Sequence, residues 1–201
     1  WNIDPSWKTE SGQSWFHIDQ HPITRPGKQC IQGLVNLLPT SKDIGGNVVV
    51  PGSHRFFENI PSEYKERLAK LPLGIDHFRF PNDDPKLSSE KPLMCHMEPG
   101  DMLLWDSRTI HCSNSGNKLP KNASGLIRAA SLICMMPKER SNQDVINQRR
   151  EAVEKVISTT NWSDAFRNAD QFPVIQEAKD REKYKWPPVP KLTDYQKDLV
   201  G

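Results

Sequence analysis

Three residues carry the strongest chemical signal in this chain of 201 residues: His17, Asp19 and His111. Residues i and i+2 of a β-strand point to the same side, so His17 and Asp19 can bind one ion while Ile18 faces the opposite layer. Two imidazoles and one carboxylate are the ligand set of mononuclear non-haem Fe(II) sites, and this set leaves positions open on the metal for other molecules. The sequence therefore indicates a metal centre, with His111 supplied by a second strand.

The segments around these residues predict a mainly β architecture. Between residues 14 and 136, short apolar runs alternate with turns rich in Gly, Pro, Asn and Asp, and long segments of 3.6-residue periodicity are lacking. Seven strands in this length suit a double-stranded β-helix, the jelly roll of cupin-like proteins, whose interior can hold a metal and a small ligand. The seven predicted strands are 14–19, 30–38, 47–50, 93–97, 102–105, 109–112 and 125–136.

Helices are predicted outside these strands. In the long segment between Val50 and Leu93, Tyr64, Leu68 and Leu71 have helical spacing, and the segment is read either as a lid over a pocket or as a surface excursion. A second helix is predicted over residues 143–158, capped by residue 141 or 142.

The remaining tail is rich in Pro, Lys and Asp and is expected to wrap around the domain. We therefore predict one domain over residues 1–201, with a jelly-roll core at 14–136 and a flanking helix and extended wrap at 138–201.

Composition excludes several functions. A net charge of +2, from 27 basic and 25 acidic residues, provides no concentrated basic surface for nucleic acid. No apolar run reaches the roughly 18 residues of a membrane span. The four cysteines are widely spaced in apolar segments, which favours reduced thiols and an intracellular, cytoplasmic location. Because the sequence starts at Trp1, shortly before His17, we expect that an N-terminal part of the domain, with any targeting signal in it, is missing here.

Five elements resemble, in their order and spacing, the phytanoyl-CoA dioxygenase family of Fe(II)- and 2-oxoglutarate-dependent oxygenases. They are His17-Ile-Asp19, residues 44–54 (IGGNVVVPGSH), residues 100–106 (GDMLLWD), His111-Cys-Ser113 and residues 127–130 (IRAA). The resemblance implies that His17, Asp19 and His111 bind Fe(II). It also implies that Arg128 and Ser113 bind the distal carboxylate of 2-oxoglutarate.

The activity that the resemblance implies is that of a dioxygenase. Such an enzyme consumes O2 and 2-oxoglutarate, releases succinate and CO2, and usually hydroxylates a C–H bond of a small-molecule substrate. Relatives that halogenate replace the carboxylate ligand with a small residue, so Asp19 argues against halogenation. The sequence does not identify the substrate.

Polar residues in apolar strands need partners, and several are candidates for the pocket. Arg128 interrupts an apolar run, so its guanidinium requires either an anionic cosubstrate or an acidic side chain of the protein. Gln32 and Asn36 alternate along one strand and are expected to face the interior, where one of them would contact the C1 end of 2-oxoglutarate. Trp15 and Trp105 either wall the pocket or pack in the core.

Two other functions remain open from the sequence. A barrel of the same shape could bind a metal or ligand without catalysis. A zinc hydrolase could also use two histidines and one carboxylate, but it would have no use for Arg128.

Overall fold

The computed structural model describes residues 15–72, 75–81, 83–89, 91–116, 127–155, 157, 159, 161–166 and 191–200. The chain divides into two units, Trp1–Ile133 and Cys134–Gly201. The described strands form two antiparallel sheets, and helices are few and short, so the protein is mainly β as the sequence predicts.

Eight strands are described: β1 (His17–Ile18), β2 (Ile31–Asn36), β3 (Gly45–Val49), β4 (Phe78–Arg79), β5 (Leu93–Met94), β6 (Met102–Asp106), β7 (His111–Ser115) and β8 (Ala130–Met135). A five-stranded sheet has the order β4-β1-β7-β3-β5, and a three-stranded sheet has the order β6-β2-β8. Each of the seven predicted runs overlaps one observed strand. The strand β4 was not predicted.

The hydrophobic core lies against one face of the five-stranded sheet. Ile18 of β1, Val48 of β3 and Cys112 of β7 all belong to it, and each is less than a tenth exposed. Since side chains alternate between the two faces of a strand, the residues on either side of these three point to the opposite face. That opposite face carries the candidate site.

The segment between β3 and β5 helps to build this core. It contains a 3-10 helix (Ser53–Asn59), α1 (Ile60–Glu63), α2 (Lys65–Leu68), the strand β4 and α3 (Pro85–Ser89). Leu68 is buried in the core, and Tyr64 and Leu71 pack against it, which matches their predicted helical face. The segment also adds β4 to the edge of the five-stranded sheet. The described part of the segment is therefore more than a surface excursion, and its role as a lid stays a prediction.

The second unit contains a 3-10 helix (Lys138–Arg140), α4 (Gln143–Glu154) and α5 (Asp194–Val200). The side chain of Asn142 caps α4 by accepting a hydrogen bond from the Val145 N–H (2.9 Å), which agrees with the predicted start of this helix. The helix ends at Glu154 rather than at the predicted residue 158. The Pro-rich stretch 186–190 lies outside the described residues. Among the helices that are described, none has the length and apolar character needed to cross a membrane.

Candidate metal centre

The pairing of β1 with β7 brings the first candidate ligands together. His17 lies directly opposite His111 in the antiparallel register, and the centroids of the two imidazole rings are 4.5 Å apart. Ile18 and Cys112, the next residue along each strand, face the apolar core on the other side of the sheet. Both histidines are almost fully buried, at 6% and 5% exposed.

Asp19 completes the cluster. His17 Nε2 lies 3.3 Å from Asp19 Oδ1, and His111 Nε2 lies 3.5 Å from Asp19 Oδ2. The potential ligand atoms of the three residues all lie within 4.8 Å of one another. Ligand atoms bound at right angles to one ion, each about 2.0–2.2 Å from it, would be about 3 Å apart. The two imidazole–carboxylate distances are close to this value, so the cluster is compatible with a single small metal ion.

Hydrogen bonds fix which nitrogen of each imidazole faces Asp19. Nδ1 of His17 donates to the carbonyl oxygen of Trp15 (3.0 Å), and Nδ1 of His111 donates to that of Thr109 (2.9 Å). A carbonyl oxygen can only accept, so each Nδ1 carries a proton and each neutral ring has its lone pair on Nε2. This is the arrangement that orients metal-binding histidines in proteins.

The charge distribution of the cluster calls for a cation. Burial alone would raise the pKa of the Asp19 carboxyl, but the adjacent imidazoles of His111 and then His17 outweigh it, and the pKa lies far below its usual range. Asp19 is therefore an anion, and two Nε2 atoms point towards it. Only positive charge between these atoms, either protons on both imidazoles or a metal ion, makes that convergence favourable.

Asp19 also receives a hydrogen bond from a residue of the three-stranded sheet. The side-chain amide of Gln32 donates to Asp19 Oδ2 (2.9 Å), and its oxygen accepts from the indole N–H of Trp105 (3.2 Å). Gln32 and Trp105 are direct partners in the pairing of β2 with β6. The structure thus brings Gln32 to the cluster, with its amide directed at the carboxylate of Asp19.

Both candidate tryptophans lie against imidazoles of the cluster. Trp15 stacks on His17 with ring centroids 4.2 Å apart and nearly parallel planes. Trp105 lies 5.1 Å from His111. Trp15 also donates its indole N–H to the carbonyl oxygen of Ser113 (3.2 Å), which ties β1 to β7. The aromatic rings therefore flank the cluster on two sides.

Ser113 and Arg128 meet beside the cluster. A guanidinium nitrogen of Arg128 donates to Ser113 Oγ at 3.4 Å. Ser113 follows His111 by two residues on β7, so it points to the same face, about 7 Å further along the strand. Burial lowers the pKa of Arg128, and no acidic side chain among the described residues pairs with it. Its guanidinium therefore has donors to spare for an anion.

Asn36 is not brought to the cluster. It lies four residues beyond Gln32, about 13 Å along β2. Its side-chain amide donates to the backbone carbonyls of Leu38 (2.6 Å) and Met97 (3.2 Å). These bonds hold two chain segments together and leave the amide no free donor.

Two further residues occupy the same face without having been proposed from the sequence. Asn47 of β3 lies directly opposite Ser113 and is buried, and Arg79 of β4 lies directly opposite His17 and is exposed. The polar Asn47 in the run Gly-Gly-Asn-Val-Val-Val is a visible signal, but its partner depends on the register between strands. The position of Arg79 could not be predicted, because its strand β4 has only two residues and is too short to show periodicity.

A known protein family matches the part of the sequence that contains the cluster. The sequence profile of the family described as Phytanoyl-CoA dioxygenase (PhyH) matches residues 5–119, more than half of the chain. The chain belongs to the phytanoyl-CoA dioxygenase family. The matched range includes the three clustered residues His17, Asp19 and His111, and it ends before Arg128.

Curated relatives agree with this membership. Ava biosynthesis cluster protein O of Aspergillus versicolor is 30% identical over 156 residues, which is 73% of this chain and 47% of that protein. The 1-deoxypentalenic acid 11-beta-hydroxylases of Streptomyces exfoliatus and Streptomyces arenae are 33% and 31% identical over 114 residues, which is 56% of this chain and 36% of each relative. The chain thus spans less than half the length of these phytanoyl-CoA dioxygenase relatives.

Proposed function

We propose that this member of the phytanoyl-CoA dioxygenase family is an Fe(II)- and 2-oxoglutarate-dependent dioxygenase that hydroxylates a C–H bond of a small-molecule or lipid-like substrate. One observation carries the proposal: a metal-type cluster lies on one face of the five-stranded sheet, and a guanidinium with unused donors, that of Arg128, bonds to Ser113 two residues beyond the ligand candidate His111. Two relatives that are named hydroxylases support the same class of reaction.

The cluster would hold the metal. His17 and His111 present Nε2 lone pairs and Asp19 presents a carboxylate oxygen, a donor set that fits Fe(II) and occupies one side of the ion. Bound Fe(II) would supply the redox chemistry, in which O2 and 2-oxoglutarate are converted with the substrate to hydroxylated product, succinate and CO2. Gln32 and the two backbone carbonyls would keep the ligands oriented, since partners of this kind fix the rotamer and tautomer of metal ligands.

Arg128 and Ser113 would bind the distal carboxylate of 2-oxoglutarate. A guanidinium remains charged at any working pH and offers a planar fork of donors that matches a carboxylate. The half-buried setting of Arg128 strengthens such a pair, because water competes less for both charges. On β7, His111 would thus bind the metal and Ser113 would bind the cosubstrate.

The framework around the site would be a double-stranded β-helix. The two antiparallel sheets and the inward placement of Gln32 and Asp19 are compatible with that fold. We further propose that residues 1–201 act as one oxygenase domain with the strands at 14–136 as its core. With Asp19 in place, hydroxylation rather than halogenation is the expected outcome.

Reconstitution under anaerobic conditions tests the proposal. The protein is loaded with Fe(II), and 2-oxoglutarate is added while the visible spectrum is recorded. We expect a weak charge-transfer band from the chelate, followed by succinate when oxygen is admitted. The Asp19→Ala variant, treated in the same way, should give neither signal.

Three results would contradict the proposal. Metal binding with no band and no succinate would indicate a non-catalytic barrel. Zn(II)-dependent hydrolysis without consumption of 2-oxoglutarate would indicate a hydrolase. Equal signals from the wild type and Asp19→Ala would place the metal elsewhere.

A further inference from the structure

The side chain of Asn47 is a buried donor without an acceptor. Asn47 is 5% exposed, and its Nδ2 has no hydrogen-bond partner among the residues that the structure describes. An unsatisfied buried polar group costs free energy, so such groups are rare in folded proteins and call for an explanation. A ligand that brings an acceptor to this position would supply one.

The sheet register shows where Asn47 points. Its neighbour Val48 lies in the apolar core and pairs with Cys112, which is also in the core. Asn47 must therefore face the other side, together with its own partner Ser113. Side chains that are directly opposite in an antiparallel pair have Cβ atoms about 4.5–5.5 Å apart. The Asn47 amide and the Ser113 hydroxyl thus border the same small volume.

Several unused hydrogen-bond donors meet at this place. Ser113 Oγ accepts from Arg128, which leaves the hydroxyl proton of Ser113 to be donated. Arg128 is a pure donor, and Asn47 adds the N–H groups of its amide. Three sets of donors around one volume suit an anion with several acceptor oxygens, and a carboxylate is the natural match.

We propose that Asn47 donates its side-chain amide to the distal carboxylate of 2-oxoglutarate, as a third partner beside Arg128 and Ser113. This inference rests on the proposed function, because it assigns a role towards the same cosubstrate. It makes Asn47 a specificity residue: it favours a 2-oxo acid with a distal carboxylate over 2-oxo acids that lack one. The contribution of Asn47 should appear only when that carboxylate is present.

Calorimetric titration of the full chain loaded with Mn(II), which stands in for Fe(II) without turnover, tests this role. The probes are 2-oxoglutarate and 2-oxobutyrate, which share the metal-binding end but differ in the distal carboxylate. In Asn47→Leu we expect the Kd for 2-oxoglutarate to rise about tenfold, the effect of losing a hydrogen bond to a charged group. In Asn47→Asp the rise should be larger, because two carboxylates would then repel each other. The Kd for 2-oxobutyrate should stay at the wild-type value in both variants.

Asn114→Asp is the matched control. Asn114 lies on β7 next to Ser113 and therefore faces the other side of the sheet, so the same added charge should leave the Kd for 2-oxoglutarate unchanged within about threefold. Wild-type affinity for 2-oxoglutarate in both Asn47 variants would overturn the inference and leave the proposed function standing. An equal loss for both probes would also overturn it, since a disturbed fold would then be the cause. A wild-type protein that binds Mn(II) but neither probe would overturn both proposals.

Discussion

The two faces of the five-stranded sheet are built from the same strands but have opposite character. On one face, Ile18, Val48 and Cys112 are apolar and packed in the core. On the other, His17, Asn47 and His111 are polar and also buried, with His17 opposite His111 and Asn47 opposite Ser113. Neighbouring residues along each strand therefore experience entirely different environments.

The contrast between the two faces explains how the site can be both buried and polar. Burial of apolar surface on the core face contributes most of the favourable free energy of folding. That contribution can hold the Asp19 carboxylate at 3.3–3.5 Å from each of two imidazoles, an arrangement that is unfavourable without a cation. One face thus supplies stability and the other supplies a preorganised site.

Removal of a ligand tests the polar face and should have the largest effect. We expect Asp19→Ala and His111→Ala each to reduce turnover by more than about a hundredfold, because even an outer partner of a metal ligand is worth about 10- to 100-fold. Succinate formation at saturating Fe(II) and 2-oxoglutarate measures this loss. His96→Ala, which removes an exposed histidine, is the control and should retain activity. Wild-type turnover in Asp19→Ala would end the assignment of the site.

Ile18, which lies between His17 and Asp19, tests the core face of the sheet. Ile18→Ala should lower the free energy of unfolding by about 2–5 kcal/mol, the usual cost of a large cavity in a packed core. Urea denaturation measures this change, and Mn(II) titration of the folded variant measures the site. We expect metal affinity close to that of the wild type. If Ile18→Ala lost metal binding as completely as Asp19→Ala does, the two faces would not be separable.

Arg128 tests whether the polar face extends beyond the metal. Arg128→Ala should raise the KM for 2-oxoglutarate about 10- to 100-fold with a small change in kcat, since bonds to a charged carboxylate are lost while the metal ligands remain. Arg108→Ala is the control, because Arg108 pairs with Asp106 in the turn before β7. An unchanged KM in Arg128→Ala would remove Arg128 from the cosubstrate site.

Gln32 tests the support that the polar face receives from the three-stranded sheet. In Gln32→Leu, Asp19 Oδ2 loses a donor and the Trp105 indole loses its acceptor, so we expect metal affinity to fall about tenfold. The same substitution at Gln29, in the loop before β2, serves as the control. Competition with a calibrated chelator gives the affinities. Equal values for the two variants would show that the orientation of Asp19 does not depend on Gln32.

Features that repeat with a fixed period along the sequence were predictable. Alternation along a strand is enough to place His17 and Asp19 on one face and Ile18 on the other. Turn residues mark the ends of the strands, so each predicted run overlaps an observed strand. The start of α4 was predictable because an Asn before an amphipathic run is a strong cap signal.

What could not be predicted depends on pairing between distant segments. The strand β4 has two residues in a Pro- and Asp-rich segment, and only its pairing with β1 makes it a strand. Either Gln32 or Asn36 was predicted to contact the C1 end of 2-oxoglutarate, whereas the bond from Gln32 to Asp19 depends on how the two sheets face each other. Asn36 and Asn47 both have buried side-chain amides, and their partners depend on the strand register. The Asn36 nitrogen donates to backbone carbonyls, whereas the Asn47 nitrogen has no acceptor among the described residues. The metal and cosubstrate roles of the site residues, and the cytoplasmic location, stay predictions.

The pairing of His17 with His111 also constrains the order of events when the chain folds. The two strands are far apart in sequence, since the bond that links them at Trp15 and Ser113 spans 98 residues. Contacts of such separation form late and slowly, because a long loop must close first. A nascent chain therefore offers only the His17 and Asp19 pair to a passing ion. Complete coordination waits for the closed sheet, and metal that is captured then would slow unfolding rather than guide folding.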